Sequence, residues 1–190
     1  IYSSTRTVHP QFLKSYQEIL DQLYGNCVTV SNPFVDMTKG EVACLLNSDG
    51  YREQAKTTIS CSEVQVLWRR GVKISKVRHC GICFPCITRR VAMNHAGLFD
   101  QDARYADDIA LPFSEIPPEG RKLLFEMADF ARQIDKCSNV DEALNEFPQF
   151  YIEGVDPAML FDMAKRQVAQ FKDFLRQRAH QTLRQNLGLP

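Results

Sequence analysis

Four cysteines within 26 residues constrain this chain more than any other feature of its sequence. Cys80-Gly81-Ile82-Cys83-Phe84-Pro85-Cys86 spaces three thiols two residues apart, which lets a tight knuckle fold three sulfurs around one ion. Cys61 completes a tetrahedron, and zinc takes four soft sulfurs at about 2.3 Å with no position left for water or substrate. Gly81 suits such a turn because knuckles often need a backbone angle that a side chain resists. An iron–sulfur cluster also takes four cysteines, and Cys83 with Cys86 could form a redox dithiol. Zinc is favoured over both, because a redox pair does not need four cysteines and nothing else in the sequence suggests electron transfer. His79 adjoins the ligands and is the minor alternative for one of them.

The total of seven cysteines is odd, and outside this cluster they form no even framework, which argues for metal over disulfides. Cys27, Cys44 and Cys137 are expected to be small buried hydrophobes. Lys and Arg total 23 and Asp and Glu total 23, so no global charge points to nucleic acid, a membrane surface or an acidic partner. The charge is unevenly placed. Residues 61–99 carry seven bases (Arg69, Arg70, Lys73, Lys76, Arg78, Arg89, Arg90) against Glu63 alone, and residues 100–163 carry fifteen acids against five bases. The basic stretch reads either as a solvated face or as a surface for an anionic ligand. No apolar run approaches the roughly 20 residues needed to cross a bilayer, and the first residues lack a leader's charged-then-apolar order. A cytoplasmic setting without membrane association is therefore expected. The chain opens on Ile1 and runs at once into patterned sequence, so a piece of a longer protein is one expectation.

Apolar residues Phe12, Tyr16, Ile19, Leu20 and Leu23 recur at helical spacing after Pro10, ending at Gly25-Asn26. Cys27-Val28-Thr29-Val30 reads as a short strand, and Thr38 with Glu41 as a capping box that opens a helix to about Asn47. Helix, strand, loop and helix make one repeat of a wound α/β sheet, and a single strand cannot be a sheet, so its partners must lie elsewhere. Ile87 to Phe99 reads as a short helix leaving the cysteine segment. Beyond it, Leu123, Met127, Phe130 and Ile134 form a helical stripe. Ser138-Asn139 can cap a helix from Val140 to Phe147, and Asp156-Pro157 starts a long helix bearing Leu160, Ala164, Val168, Phe171 and Leu175. These stripes read as packing surfaces. The chain is thus expected to be mainly α, divided into residues 1–99, which include a knuckle at 61–87, and an all-helical extension at 100–190.

Three blocks, taken together, carry a family resemblance. Asn32-Pro33-Phe34-Val35-Asp36-Met37-Thr38-Lys39-Gly40-Glu41-Val42, Thr58-Ile59-Ser60-Cys61, and His79-Cys80-Gly81-Ile82-Cys83-Phe84-Pro85-Cys86-Ile87-Thr88-Arg89-Arg90 resemble, in order and spacing, the C-terminal half of the QueC family of 7-cyano-7-deazaguanine synthases. The resemblance covers residues 1 to about 96. It implies the C-terminal part of an α/β ATP-pyrophosphatase (Rossmann-like) domain, with zinc on Cys61, Cys80, Cys83 and Cys86. It also implies a ligase chemistry, in queuosine biosynthesis, that uses ATP with Mg2+ to turn a deazapurine carboxylate into an amide and then a nitrile. Lys39 sits at the family's Lys-x-Glu position, where an ammonium near phosphate is physically reasonable; the plainer reading is an exposed first-turn lysine.

The family's Ser-Gly-Gly-x-Asp-Ser phosphate loop does not occur in these 190 residues, and the helical extension is an addition to the family pattern. Such an extension resembles the QueC-like proteins of bacterial anti-phage systems, QatC among them. A protein partner on residues 100–190 and a homodimer are the assemblies expected. The alternative reading is a non-catalytic zinc-stabilised module that binds nucleic acid or protein.

Overall fold

The computed structural model describes residues 10–48, 50–63, 67, 71 and 77–189. Among these the chain is helical: α1 (Pro10–Tyr24), α2 (Lys39–Ser48), α3 (Arg52–Ala55), α4 (Phe84–His95), α5 (Pro118–Lys136), α6 (Val140–Glu146), α7 (Pro157–Arg178) and α8 (Gln181–Leu187). Short 3₁₀ turns lie at Phe99–Gln101, Phe113–Glu115 and Pro148–Phe150.

Helix α4 is the centre of the molecule. Ile87, Arg89, Arg90, Val91, Ala92, Met93 and Asn94 are all buried along it, so it is enclosed on every side. A helix enclosed in this way needs a partner for each polar side chain. Arg89 pairs with Asp102 and Arg90 with Asp108, while Asn94 donates to Gln177 and accepts from Arg178. Its apolar positions Ile87 and Val91 join one continuous core with Leu124, Ala128, Ala131 and Ile134 of α5, the inner face of α7, and Leu183 and Leu187 of α8.

On α7 the expected face is buried at all five positions, Leu160, Ala164, Val168, Phe171 and Leu175. On α5 the inner line runs one residue later than the expected stripe at three positions and meets it at Ile134. Leu124, Ala128, Ala131 and Ile134 are buried, while Leu123, Met127 and Phe130 pack half-buried beside them. The small Ala128 and Ala131 are fully buried, and bulkier side chains pack half-buried beside them. The long last helix stops at Arg178. The His180 amide donates to the Ala110 carbonyl, and the His180 ring accepts from the Thr182 amide, which starts α8 as a separate helix.

Residues 27–30 do not form a strand. Gln17 holds this stretch instead: its side-chain amide donates to the Val28 carbonyl at 2.7 Å and accepts from the Val30 N–H at 2.7 Å. One side-chain amide thus occupies the backbone groups a neighbouring strand would take, and no second strand is described to extend the pairing. Cys27 is exposed rather than buried, because this unpaired stretch lies on the surface. The apolar face of α1 is likewise open, with Phe12, Tyr16, Ile19 and Leu23 exposed. Among the described residues, β pairing is limited to a single bridge between His79 and Tyr105. No described helix is long and apolar enough to cross a membrane.

Helix α2 opens with the expected capping box: the Thr38 amide donates to Glu41 Oε2 at 2.7 Å and the Glu41 amide to Thr38 Oγ1 at 3.1 Å. Glu41 also receives Arg166 from α7, which donates onward to the Asp36 carbonyl. Gln170 donates to Thr38, and a Cβ on Gly40 would stand 2.4 Å from Gln170 Oε1, so α2 and α7 meet at backbone distance. Burial raises the Glu41 pKa, but hydrogen bonds from Arg166 and Thr38 outweigh it and hold the carboxyl below its ordinary value. A depressed folded value means the clamp contributes fully above the ordinary carboxylate range and is lost as pH falls through the folded value. Arg166→Ala is expected to cost about 1 kcal/mol at neutral pH, the upper end for a partly exposed pair. In urea melts, the gap between wild type and variant should narrow as pH is lowered from about 6 to about 3.

Candidate metal centre

The knuckle is built by the N-terminus of α4. Cys83 is the N-cap residue, in extended conformation, and Phe84-Pro85 supplies a proline in the first turn, where no amide is missed. Cys86 follows one turn in, so two sulfurs stand near the positive end of the helix dipole, which favours thiolate. Gly81 has φ of +92°, and a Cβ there would lie 1.9 Å from the Asp107 carbonyl oxygen. A side chain is therefore excluded twice, by the backbone angle and by the 102–108 loop docked on the turn. That loop is fastened by the Ala106 and Asp107 amides, which donate to the carbonyls of His79 and Cys80.

The sulfurs of Cys61, Cys80, Cys83 and Cys86 lie within 4.8 Å of one another. Cys80 and Cys86 are 3.9 Å apart, and Cys83 and Cys61 are 4.0 Å apart. Four sulfurs about 2.3 Å from one tetrahedral ion would stand roughly 3.8 Å apart, so the set has the size of a single-ion cage. Iron–sulfur clusters spread their thiolates over several irons, and sulfurs this close together fit them less well. The amides of Glu63 and Cys80 donate to the Cys61 sulfur at 3.4 Å each, and the Cys83 amide donates to the Cys80 sulfur at 3.3 Å. Such N–H donors stabilise negative sulfur. Without a cation the crowded thiols share charge unevenly: hydrogen bonds from Cys80 and Cys86 lower the Cys83 pKa. Donating to Cys83 pushes Cys80 up to about 12, while hydrogen bonds with Cys80 and then Cys83 raise Cys86. A cation is what would let all four ionise together. The residues therefore fit zinc, and the site can hold a metal ion such as zinc.

His79 is not among the clustered donors. It is fully buried, and its Nε2 accepts the Ser60 amide while its ring packs 5.1 Å from Tyr105. Lys39, the expected phosphate residue, is exposed at the first position of α2 and is not brought to the cysteines. Of the expected basic face, Arg69, Arg70, Lys73 and Lys76 lie outside the described residues. Arg78 donates to the Thr57 carbonyl, and Arg89 and Arg90 are buried.

Arg89 is the functional residue that charge reading missed. Its guanidinium grips both oxygens of Asp102 and also donates to Thr58 Oγ1 at 2.6 Å, to Ser60 Oγ at 3.3 Å and to the Ala55 carbonyl at 2.6 Å. It thus ties the irregular stretch leading into Cys61 to the helix that carries Cys86. Its place one turn after Cys86 was the available signal, obscured by its membership in a run of bases. Further contacts lead outward: Tyr105 donates to Asp102 at 2.5 Å, Arg90 lies over the rings of both Tyr105 and Phe99, and Arg178 of α7 lies over Phe99.

Fold and site define a class: a four-cysteine cluster that can hold a metal ion, seated on a buried helix among described residues that are mainly helical. Residues 7–97, just under half of the chain, match the family model described as Queuosine biosynthesis protein QueC. No curated protein and no solved structure matches the chain closely enough to stand beside that match.

Cys83→Ser is expected to abolish stoichiometric metal binding and to broaden or remove the thermal transition, whereas Cys137→Ser should keep both within error. Gly81→Ala should cost more than 2 kcal/mol, since it combines a strained angle with a backbone clash. Melting followed by circular dichroism, with metal content measured on the same samples, checks all three.

Proposed function

We propose that residues 1–99 are the C-terminal portion of a QueC-like ATP-pyrophosphatase domain whose Cys61, Cys80, Cys83 and Cys86 hold one structural zinc. The parent protein would be an ATP-dependent ligase acting on a 7-deazaguanine carboxylate, with residues 100–190 as a helical module that docks a partner, in an anti-phage setting of the QatC type. The observation that carries this reading is that the QueC family match spans residues 7–97 and the four-cysteine cage falls wholly within it.

The proposed zinc is closed to substrate and supplies no chemistry beyond holding the knuckle. The carboxylate is adenylated with release of pyrophosphate, ammonia displaces AMP to give the amide, and dehydration gives the nitrile. ATP binding is assigned to sequence outside these 190 residues, since the Ser-Gly-Gly-x-Asp-Ser loop does not occur in them. Lys39 is the residue the proposal gives to phosphate. Its exposure leaves the ammonium free for an anion, although the Thr38 and Glu41 amides are already engaged by the capping box. The rival nucleic-acid reading has less support, because Arg89 and Arg90 are buried and form internal ion pairs rather than an exposed basic face.

The test uses the protein of the complete reading frame with 7-carboxy-7-deazaguanine, ATP, Mg2+ and ammonium, followed by mass spectrometry. Carboxylate-dependent AMP together with the amide or nitrile is expected. Lys39→Ala should lower kcat/KM for ATP about tenfold, the size of one charge-assisted hydrogen bond. A folded, zinc-loaded protein that forms no AMP with this carboxylate would refute the assignment.

A further inference from the structure

Beside the cysteine cage, and using none of its sulfurs, a cavity of about 310 Å³ opens between the α4 helix and the 102–108 loop. Arg90, Phe99, Asp102, Arg104, Tyr105 and Asp108 are among the residues that line it. Its two carboxylates are already satisfied. Asp102 accepts from Arg89, from the Tyr105 hydroxyl and from the Ala103 amide, and Asp108 accepts from Arg90 Nη2 and the Ala110 amide.

The cationic donors are not satisfied. Arg90 is only 7% exposed, and its Nε has no hydrogen-bond partner among the described residues. A buried guanidinium donor left unpaired costs free energy that an acceptor from a ligand would recover. Arg104 lines the same cavity, is exposed, and makes no ion pair among the described residues. The aromatic walls are engaged already: Phe99 carries Arg90 and Arg178, and Tyr105 carries Arg90 and His79. What the cavity offers an incoming molecule is therefore donors rather than a stacking platform. An oxyanion is the complementary group, since guanidinium forks match the geometry of phosphate and carboxylate oxygens. The volume suits a small metabolite at the low end of ligand pockets, about 300 Å³.

We propose that this cavity binds the oxyanion group of a small molecule, with Arg90 as the buried donor and Arg104 as the exposed one. The site is independent of the proposed ligase reaction and of any deazapurine. The test is an NMR titration of the zinc-loaded full chain at constant ionic strength, reading the Arg90 Nε–H resonance. Inorganic phosphate and acetate are the probes, with chloride as the control.

A saturable shift with phosphate or acetate, absent with chloride, is expected, and the stronger probe tells phosphate from carboxylate recognition. Arg104→Ala should weaken that probe at least fivefold without changing metal content or melting temperature, because Arg104 holds nothing else in place. Lys122→Ala, at an exposed position of α5, should leave binding unchanged. Absence of a saturable shift with either anion, a chloride response of equal size, or full affinity in Arg104→Ala would overturn the proposal.

Discussion

Four cysteine sulfurs within 4.8 Å of one another are the constraint around which the first half of this molecule is arranged. Three come from a single turn at the start of α4, but Cys61 arrives from a stretch with little regular structure of its own. Burial and crowding oppose ionisation of the set, so the thiols hold one another in an uneven protonation pattern unless a cation balances them. The fold answers with donors. Backbone amides point at two of the sulfurs, and Arg89 reaches back from α4 to fasten the residues just before Cys61. A structural zinc in such a cage is worth roughly 10 to 16 kcal/mol, as much as the whole stability of an ordinary domain.

From this centre the polar residues of α4 carry the arrangement into the helical half. Arg89 fixes Asp102, Asp102 takes the Tyr105 hydroxyl, and Tyr105 packs on both His79 and Arg90. Arg90 meets Phe99, which also meets Arg178 at the end of α7, while Arg166 at the other side of α7 grips Glu41. The helices after residue 100 are therefore bonded to the cysteine knuckle through buried charges as well as through the apolar core. Arg89 and Asp102 are both buried, so removing either would leave its partner buried and unpaired, which is costlier than the pair is stabilising.

The cysteine spacing, the Thr38–Glu41 capping box and the Asp156-Pro157 helix start were legible in the sequence because each is a local device with its own chemistry. Periodicity also marked five buried positions of α7, though not Phe161 and Phe174 beside them. On α5 it met the core at Ile134 but was one position early at the other three, since hydrophobicity points to the larger neighbours of Leu124, Ala128 and Ala131. The 27–30 strand was misread because strand character depends on a partner, and Gln17, a long-range side chain, satisfies those backbone groups here. The roles of Arg89 and Arg90 were hidden for a similar reason: Asp102 and Asp108 lie beyond the local window, and without them two buried arginines look like a solvated basic face.

The most direct measurement is elemental analysis of the chain purified under native conditions, combined with a count of reactive thiols. The account predicts one zinc per chain, with Cys61, Cys80, Cys83 and Cys86 protected from thiol reagents until the metal is chelated. Iron in place of zinc, or a folded, metal-free chain in which those four thiols react freely, would contradict it.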